Sequence, residues 1–205
     1  MSMEKRSEHQ ITKTEDQKIE IIRDHVILML ARRFFIDNNG EKKELLSLDN
    51  LKYPTVGTDR VFTQKTLNGE EYAIKIIFGK VTTSGKQSAL SEFIKDYGQY
   101  KKIIVAHEYS NKIKDYCSKN GIQIFLERDM LEDIILQKDQ PRFEILTPSD
   151  MKKVESEYNI TSYTGNRTAR DEIVVRYLDI KHRDIYRVYR SSPISGYTIA
   201  YRYVD

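Results

Sequence analysis

The sequence predicts two domains, a larger α/β domain followed by a small α+β domain. The chain has 205 residues, which is enough for two modest domains. Helix and strand patterns alternate before the C-terminal third, which favours crossover units and a largely parallel inner sheet. A polar segment at residues 137–142, which contains Pro141, then precedes a tail with its own helix cap and two alternating strands. We therefore place the domains at residues 1–140 and 143–205.

The N-terminal domain opens with a predicted helix. Thr14 followed by Gln17 is the sequence of a capping box, and apolar residues recur after it at helical spacing. The turn residues at 38–40, Asn-Asn-Gly, are expected to end this helix, and a short second helix is expected over residues 41–51. The start of the chain is therefore expected to be helical.

Strand signals follow these helices. Residues 61–67 and 70–78 flank Asn68-Gly69, the preferred sequence of a two-residue type I′ hairpin turn. Helices and strands alternate after the hairpin, which implies a small, largely parallel inner sheet. The predicted elements are a loop at 79–86, helices at 88–97, 110–119 and 129–136, and strands at 102–106 and 122–125.

The C-terminal domain has its own boundary signals. Thr147, Pro148 and Asp150 supply an N-cap, a first-turn proline and a first-turn acid, which predict a helix to about residue 158. A second helix is expected near residues 170–178, and strands are expected at 184–190 and 197–204. Alternation in the last strand places four side chains on one face, those of Tyr197, Ile199, Tyr201 and Tyr203.

Composition excludes several classes of function. The net charge is only +3, which is too balanced for a protein that holds nucleic acid by bulk electrostatics alone. Cys117 is the single cysteine, so an internal disulfide and a thiolate zinc cluster are excluded, and a reducing intracellular compartment fits best. No apolar run is long enough to span a membrane. We expect no cofactor, no metal, no membrane partner and no small-molecule substrate.

Two possible catalytic signals are weak. From Gly79 to Lys86 the spacing of a phosphate-binding loop is wrong by one residue, and Gln87 replaces the hydroxyl that would reach magnesium. His107-Glu108 follows a predicted strand, where α/β enzymes often keep catalytic groups. No nucleophile or second histidine lies near this pair in the sequence, so we expect it to face solvent.

The predicted hairpin is similar to part of the metal-dependent nucleases of the restriction-endonuclease type. Many such enzymes place an Asp on one strand and an acid-x-Lys triplet on the next, so that two carboxylates bind a metal that activates water. Asp59 is suitably placed, but the triplet reads Ala73-Ile74-Lys75 and lacks the acid. The N-terminal domain is therefore interpreted as restriction-endonuclease-like and inactive, with no catalytic residue.

About sixty residues at the end of the chain carry the strongest signal. From Arg176 the sequence reads RYLDIKHRDIYRVYR, and it ends SGYTIAYRYVD. This stretch resembles the C-terminal assembly domain of the fifth subunit of eukaryotic nuclear RNA polymerases, a family with an archaeal counterpart. In that family a helix ending in Arg-Tyr leads through a Lys-containing turn into a strand, and the chain closes on Gly, Tyr-Arg and Val.

The resemblance implies an assembly interface with the largest polymerase subunit. The residues that it assigns to this interface are Arg167, Arg176, Tyr177, Lys181, Arg190, Gly196, Tyr201 and Arg202. Alternation points Tyr201 and Arg202 to opposite faces of the last strand. The resemblance favours Arg202 facing outward, toward the partner, and Tyr201 facing inward.

A weaker resemblance extends upstream. The strand start at Thr58-Asp59 and the later elements follow the order of the eukaryotic jaw domain, which archaeal versions lack. Asp179 and Arg183 stand where the family usually has turn glycines, so the geometry of these turns is in question. The sequence diverges from the family pattern but keeps the order of the domains, and in this it resembles the versions encoded by large cytoplasmic DNA viruses. That origin implies the host cytoplasm and the virion, with the nucleus as the alternative.

The function implied by the resemblance is architectural. The chain would be a non-catalytic subunit of a multisubunit DNA-dependent RNA polymerase, with the largest subunit and other polymerase subunits as partners. The jaw domain would lie beside downstream duplex DNA, and Lys80 and Lys86 are the candidates for non-specific contact with its backbone. Two alternatives remain open: a degenerate metal-dependent nuclease, and a free adaptor that recruits a polymerase.

Overall fold

Two four-stranded mixed sheets and their helices make up most of the described chain. The computed structural model describes residues 13–37, 39–83, 85, 88–137, 140–160, 166–192 and 196–205. The helices are α1 (Glu15–Arg32), α2 (Ala89–Asp96), α3 (Asn111–Lys119), α4 (Glu127–Met130), α5 (Pro148–Tyr158) and α6 (Ile173–Tyr177). The strands are β1 (Phe34–Ile36), β2 (Lys42–Glu44), β3 (Val61–Lys65), β4 (Glu71–Val81), β5 (Lys101–Tyr109), β6 (Gln123–Leu126), β7 (Arg142–Ile145), β8 (Asn166–Thr168), β9 (Ile185–Ser192) and β10 (Gly196–Val204). None of the described helices is long and apolar enough to cross a membrane.

The first helix begins where the sequence predicts. The Thr14 hydroxyl accepts a hydrogen bond from the Gln17 backbone amide at 3.3 Å, and the Gln17 side chain accepts one from the Thr14 amide at 3.0 Å. This arrangement is a complete capping box. The apolar stripe of α1 is buried against the rest of the protein. The prediction of the first helix is therefore confirmed at its N-terminal end.

The end of α1 and the predicted second helix differ from expectation. Helix α1 stops at Arg32, because the chain turns into strand β1, which pairs antiparallel with β2. The predicted stop sequence lies in the turn of this hairpin, where Gly40 has a φ of +79° and Asn38 lies outside the described residues. The predicted helix over residues 41–51 is wrong, apart from one 3-10 turn at Leu48–Asn50.

The predicted hairpin of β3 and β4 is confirmed, but its turn is of another type. A type I′ turn needs a positive φ at both central residues. Only Gly69 has one, at +84°, whereas Asn68 does not. The amide of Thr66 donates to the carbonyl of Glu70 at 2.9 Å, which closes a three-residue loop. The Asn68 side chain accepts a hydrogen bond from the Thr66 hydroxyl at 2.5 Å. Asn68 therefore stabilises the loop through its side chain, although its own backbone is not left-handed.

The first large sheet has the strand order β3-β4-β5-β6, with β4, β5 and β6 parallel, as predicted. Strand β4 runs to Val81, so the loop predicted from Gly79 begins later, because the ladder with β5 continues through Lys80 after a bulge. Ile74 and Ile103 face the core below α1, whereas Ala73 and Ile104 face α2 and α3. Burial on both faces explains why these strands are nearly continuous apolar runs.

The second large sheet has the order β7-β9-β10-β8. Helix α5, with the predicted cap at Thr147, packs on one face against Ile185 and Tyr203. The other face, including Tyr186 and Val188, joins the core cluster that contains α1. The two predicted C-terminal strands are confirmed, while the helices predicted at 129–136 and 170–178 are shorter than expected.

Two consecutive arginines at the end of α1, Arg32 and Arg33, join the N-terminal and C-terminal parts of the chain. The Arg32 guanidinium donates two hydrogen bonds to Asp133, at 2.5 and 2.6 Å, and one to the Tyr177 hydroxyl at 2.9 Å. Arg33 is 1% exposed, and it donates to the backbone carbonyls of Tyr177 at 2.8 Å and Arg176 at 3.0 Å. We call Arg32 and Arg33 the arginine pair.

The protonation equilibria of these groups reflect their burial and their partners. Burial lowers the pKa of Arg33, and nearby Asp179 partly offsets this. Burial raises the pKa of Tyr177 to about 12. Burial also pushes the pKa of Asp133 upward, but the hydrogen bonds and charge of Arg32 outweigh burial and hold that pKa below its usual value. The hydrogen bonds from Arg32 and Arg33 to Tyr177 and Arg176 cross the predicted domain boundary. The division into domains at residues 140 and 143 stays a prediction.

We predict that Asp133→Asn destabilises the protein by about 2 kcal/mol at pH 7, the scale of a hydrogen bond to a charged group. The carboxylate of Asp133 has a lowered pKa, so its stabilising effect is present above the unfolded value and lost as the pH falls through the folded value. The difference between wild type and variant, measured by urea unfolding, should therefore shrink below about pH 4.

Asp171→Asn is the matched control. Asp171 pairs with Lys114 at 3.0 Å, but both of these side chains are exposed. Its loss should change the free energy of unfolding by no more than about 0.5 kcal/mol. Equal destabilisation by both substitutions would contradict a special role for Asp133.

Candidate interaction surfaces

Apart from Tyr201, the residues that the sequence assigns to an assembly interface fall into three groups in the structure. Arg190 and Gly196 lie at the end of the β9–β10 hairpin where the chain passes from one strand to the next, and Arg190 pairs opposite Thr198. Arg167 and Arg202 lie on neighbouring strands β8 and β10, which are parallel. The third group, on α6 and the turn after it, consists of Arg176, Tyr177 and Lys181. These residues therefore do not form one continuous patch.

The α6 group faces the N-terminal part of the chain. Tyr177 is 1% exposed and bonded to Arg32, and the Arg176 guanidinium lies over the Phe125 ring at 4.8 Å. Lys181 is exposed and bonded to Asp179 at 2.5 Å. A role of Tyr177 in assembly, which stays a prediction, would act through α6 and Arg32 rather than through contact with a partner.

Tyr201 and Arg202 lie on opposite faces of β10, as alternation requires, and both are half-buried. The Tyr201 ring is 5.3 Å from that of Tyr158 on α5 and packs against the cluster below that helix. The Arg202 guanidinium donates to the Thr168 hydroxyl at 3.3 Å. The orientation of these residues toward a partner stays a prediction.

The two positions that depart from the family pattern keep a left-handed backbone. Asp179 has a φ of +54° and Arg183 a φ of +73°. Glycine is favoured there because a side chain adds roughly 1–2 kcal/mol of strain in this conformation. The Asp179 carboxylate accepts a hydrogen bond from Gln123 at 3.0 Å, and the Arg183 amide donates to the Val204 carbonyl at 2.9 Å. These contacts hold both turns in place without glycine.

The predicted DNA contacts are only partly described. Lys80 lies on β4, and its ammonium group is bonded to Glu108 at 2.7 Å. Both side chains are exposed, so solvent weakens the pair. Lys86 lies outside the described residues. The sequence did not indicate the partner of Lys80, because these two positions become neighbours only when β4 and β5 pair.

The two positions that would carry the carboxylates of a nuclease metal site lie in different surroundings. Asp59 lies in an exposed turn before β3, whereas Ala73 is fully buried in β4. The Lys75 ammonium lies 5.9 Å from the centre of the Phe93 ring. Across the described ranges, no three His, Cys, Asp or Glu side chains are grouped so that they could hold a metal ion.

His107 takes part in an ionic cluster that the sequence did not reveal. Its Nδ1 lies 3.0 Å from Glu127, whose carboxylate also pairs with Lys18 at 2.7 Å. The Glu127 side chain is only 5% exposed. Burial raises the pKa of Glu127, but the hydrogen bonds from Lys18 and His107 outweigh it and leave the pKa lowered. The cluster joins α1 to the ends of β5 and β6, which is a structural role.

Part of the second sheet is exposed on the side that carries α5. Residues paired across strands share a face, so Arg142, Tyr189 and Ile199 form one row over β7, β9 and β10. Helix α5 covers the sheet only as far as Tyr201. Ile199 is 50% exposed, and Tyr197 is 80% exposed. Alternation in the sequence places Tyr197 and Ile199 on one face of the strand. No sequence pattern indicates that α5 ends before it reaches these two side chains.

Known proteins match this chain along most of its length. The family model for the RNA polymerase Rpb5 C-terminal domain matches residues 133–204, a range that begins at the partner of Arg32. The chain is 44% identical over 196 residues to DNA-directed RNA polymerase subunit 5 of Acanthamoeba polyphaga mimivirus, covering 95% of this chain and 96% of that protein. It is 33% identical over 64 residues to DNA-directed RNA polymerase subunit Rpo5 of Methanocaldococcus jannaschii, covering 31% of this chain and 82% of that protein. The chain therefore belongs to the family of fifth subunits of DNA-directed RNA polymerases.

Proposed function

We propose that the protein is an architectural subunit of a viral DNA-dependent RNA polymerase and supplies no catalytic group itself. The observation that carries this proposal is the match to a viral polymerase subunit over 95% of the chain. In this proposal the protein works in the host cytoplasm and is packaged in the virion. Its partners are the largest polymerase subunit, other polymerase subunits and downstream duplex DNA.

The C-terminal part docks on the largest subunit in this proposal. Exposed arginines at the hairpin end and along β8 can make two parallel hydrogen bonds to a carboxylate of the partner. Arg190 is exposed, and Arg202 is half-buried with a long hydrogen bond to Thr168. These side chains can therefore turn to a partner at small cost to the fold.

The N-terminal part lies beside downstream DNA in this proposal. The contact would involve few phosphates, because the whole chain carries a net charge of only +3. Lys80 would exchange its exposed partner Glu108 for a phosphate. Such contacts position a duplex without reading its bases.

We predict that Arg202→Ala reduces incorporation into polymerase while the protein stays folded. Its bond to Thr168 is long at 3.3 Å, so removing it should cost no more than about 1 kcal/mol of stability. Tyr201→Ala removes an aromatic ring packed under α5 and should instead lower stability by about 2 kcal/mol. Circular-dichroism melts and one-to-one co-purification of the largest subunit with the tagged chain measure the two effects.

Arg128→Ala is the matched arginine control, since Arg128 is highly exposed on α4. It should change neither the melt nor the co-purification. Normal assembly of Arg202→Ala, with a block by Tyr201→Ala that leaves the melt unchanged, would show that the two faces are reversed. Absence of any polymerase subunit from the wild-type purification would refute the proposed function.

We predict that Lys80→Ala in the assembled polymerase lowers the salt slope of duplex binding by about 0.9, the value for one lost phosphate contact. Glu108→Gln removes the competing carboxylate and should raise affinity at low salt. Lys65→Ala is the control, because Lys65 is an exposed lysine on β3, the strand paired with β4. The DNA contact should be rejected if Lys80→Ala and wild type share one salt dependence.

We predict that the isolated protein does not cleave DNA with magnesium or manganese. Asp59 is exposed in a turn, and the position of the second acid is the buried Ala73, so the two carboxylates of a metal site are not assembled. Asp59→Ala should therefore match wild type in a plasmid-nicking assay. Metal-dependent cleavage by wild type that disappears in Asp59→Ala would instead support the nuclease alternative.

A further inference from the structure

The exposed part of the second sheet is a shallow concavity of about 1050 Å³ at the end of the β9–β10 hairpin. Its apolar floor consists of Tyr189, Tyr197 and Ile199, and Arg142 and Arg190 lie at its sides. The most exposed of these side chains is Tyr197, a large aromatic ring. Exposed aromatic and arginine side chains are typical of protein interfaces. We call this surface the hairpin concavity.

The floor of the hairpin concavity is held in place by contacts beneath it. The Tyr189 hydroxyl donates a hydrogen bond to Glu144 on the neighbouring strand. The Arg142 guanidinium stacks on the Tyr189 ring at 5.3 Å. Both contacts fix side chains that would otherwise lose rotamer freedom on binding, which lowers the entropic cost of association.

The charges around the hairpin concavity are not balanced. Arg187 is paired with Glu144 at 3.5 Å, so this carboxylate is already engaged. Arg142 has no ion pair with any residue in the described ranges, and none of the described residues that line the concavity is a carboxylate. The surface therefore presents the unpaired guanidinium group of Arg142 beside an apolar floor, because alternation points Arg190 to the opposite face of the sheet.

We propose that the hairpin concavity binds an acidic polypeptide segment of a partner protein. An apolar side chain of this segment lies on Tyr189, Tyr197 and Ile199, and a flanking carboxylate pairs with Arg142. This goes beyond the proposed function, in which these residues have no part. A second copy of the chain is a poor occupant, because a two-fold contact would bring the same arginines together.

A polypeptide fits this surface better than a nucleic acid. Aromatic rings and arginines can stack on bases, but single strands also require a positively charged track for phosphates. The residues from 146 onward carry ten basic and eight acidic side chains, a net charge of only +2.

A display selection with random 12-residue peptides on the full-length chain tests the proposal. The enriched peptides should carry net negative charge around a central aromatic or aliphatic residue. Ile199→Asp should weaken their binding at least about tenfold, the effect of losing a central interface contact. Arg142→Glu should do the same, and a peptide with lysine in place of its glutamates should regain affinity for Arg142→Glu.

The controls separate this inference from folding and from the proposed function. Leu67→Asp alters another exposed aliphatic side chain, which is 68% exposed on the β3–β4 hairpin, and should leave peptide binding unchanged. All variants should melt like wild type, because the substituted side chains lie at the surface. Co-purification with polymerase measures the proposed function independently of peptide binding.

Three results would overturn the inference. The first is a selection that enriches no peptide, and the second is enriched peptides that bind Ile199→Asp as tightly as wild type. The third is a fluorescent 12-nucleotide RNA that binds the wild type, loses binding in Ile199→Asp and Arg142→Glu, and competes with no peptide. That result would assign the hairpin concavity to single-stranded nucleic acid instead.

Discussion

The arginine pair at the end of α1 is the interaction on which the arrangement of the chain depends. Arg33 is fully buried without an ion pair to a described carboxylate, and its charge is stabilised by the last carbonyl groups of α6. These carbonyls carry the negative end of the helix dipole, so a cation is favoured there. Arg32 adds a two-bond contact to Asp133 beside it. One dipeptide thus determines where α6 lies relative to the first sheet.

The position of α6 has consequences for the surfaces of the C-terminal part. With α6 held against the N-terminal part, the middle of one face of the second sheet, at Tyr186, Val188 and Val204, packs into the shared core and is closed to a partner. The other face is covered by α5 only as far as Tyr201. The surfaces left for partners are therefore the hairpin end, the β8 side and the hairpin concavity. The family motif contains buried residues such as Tyr177 and exposed residues such as Arg190, because packing and assembly both constrain the sequence.

The ionic cluster at His107 shows that the carboxyl edge of the first sheet makes a structural contact. Parallel strands β4, β5 and β6 bring their carboxyl ends together, which is where α/β enzymes place reactive groups. Here that edge holds Glu127 between Lys18 and His107, and the carboxylate serves to join α1 to the sheet. A buried and fully paired carboxylate stabilises a fold but is poorly placed to bind a metal.

Local signals in the sequence determined the elements that depend on nearby residues. The capping box at Thr14, the cap at Thr147 and the apolar alternation of the strands were all readable, because each involves residues only a few positions apart. The motif from Arg176 onward also identified the family, which the comparisons confirmed. Tertiary structure alone decided the rest, including the early end of α1, the pairing of Lys80 with Glu108 and the burial of Tyr177. The last two outcomes depend on residues 28 and 145 positions apart, and no local pattern records which distant group a side chain will meet.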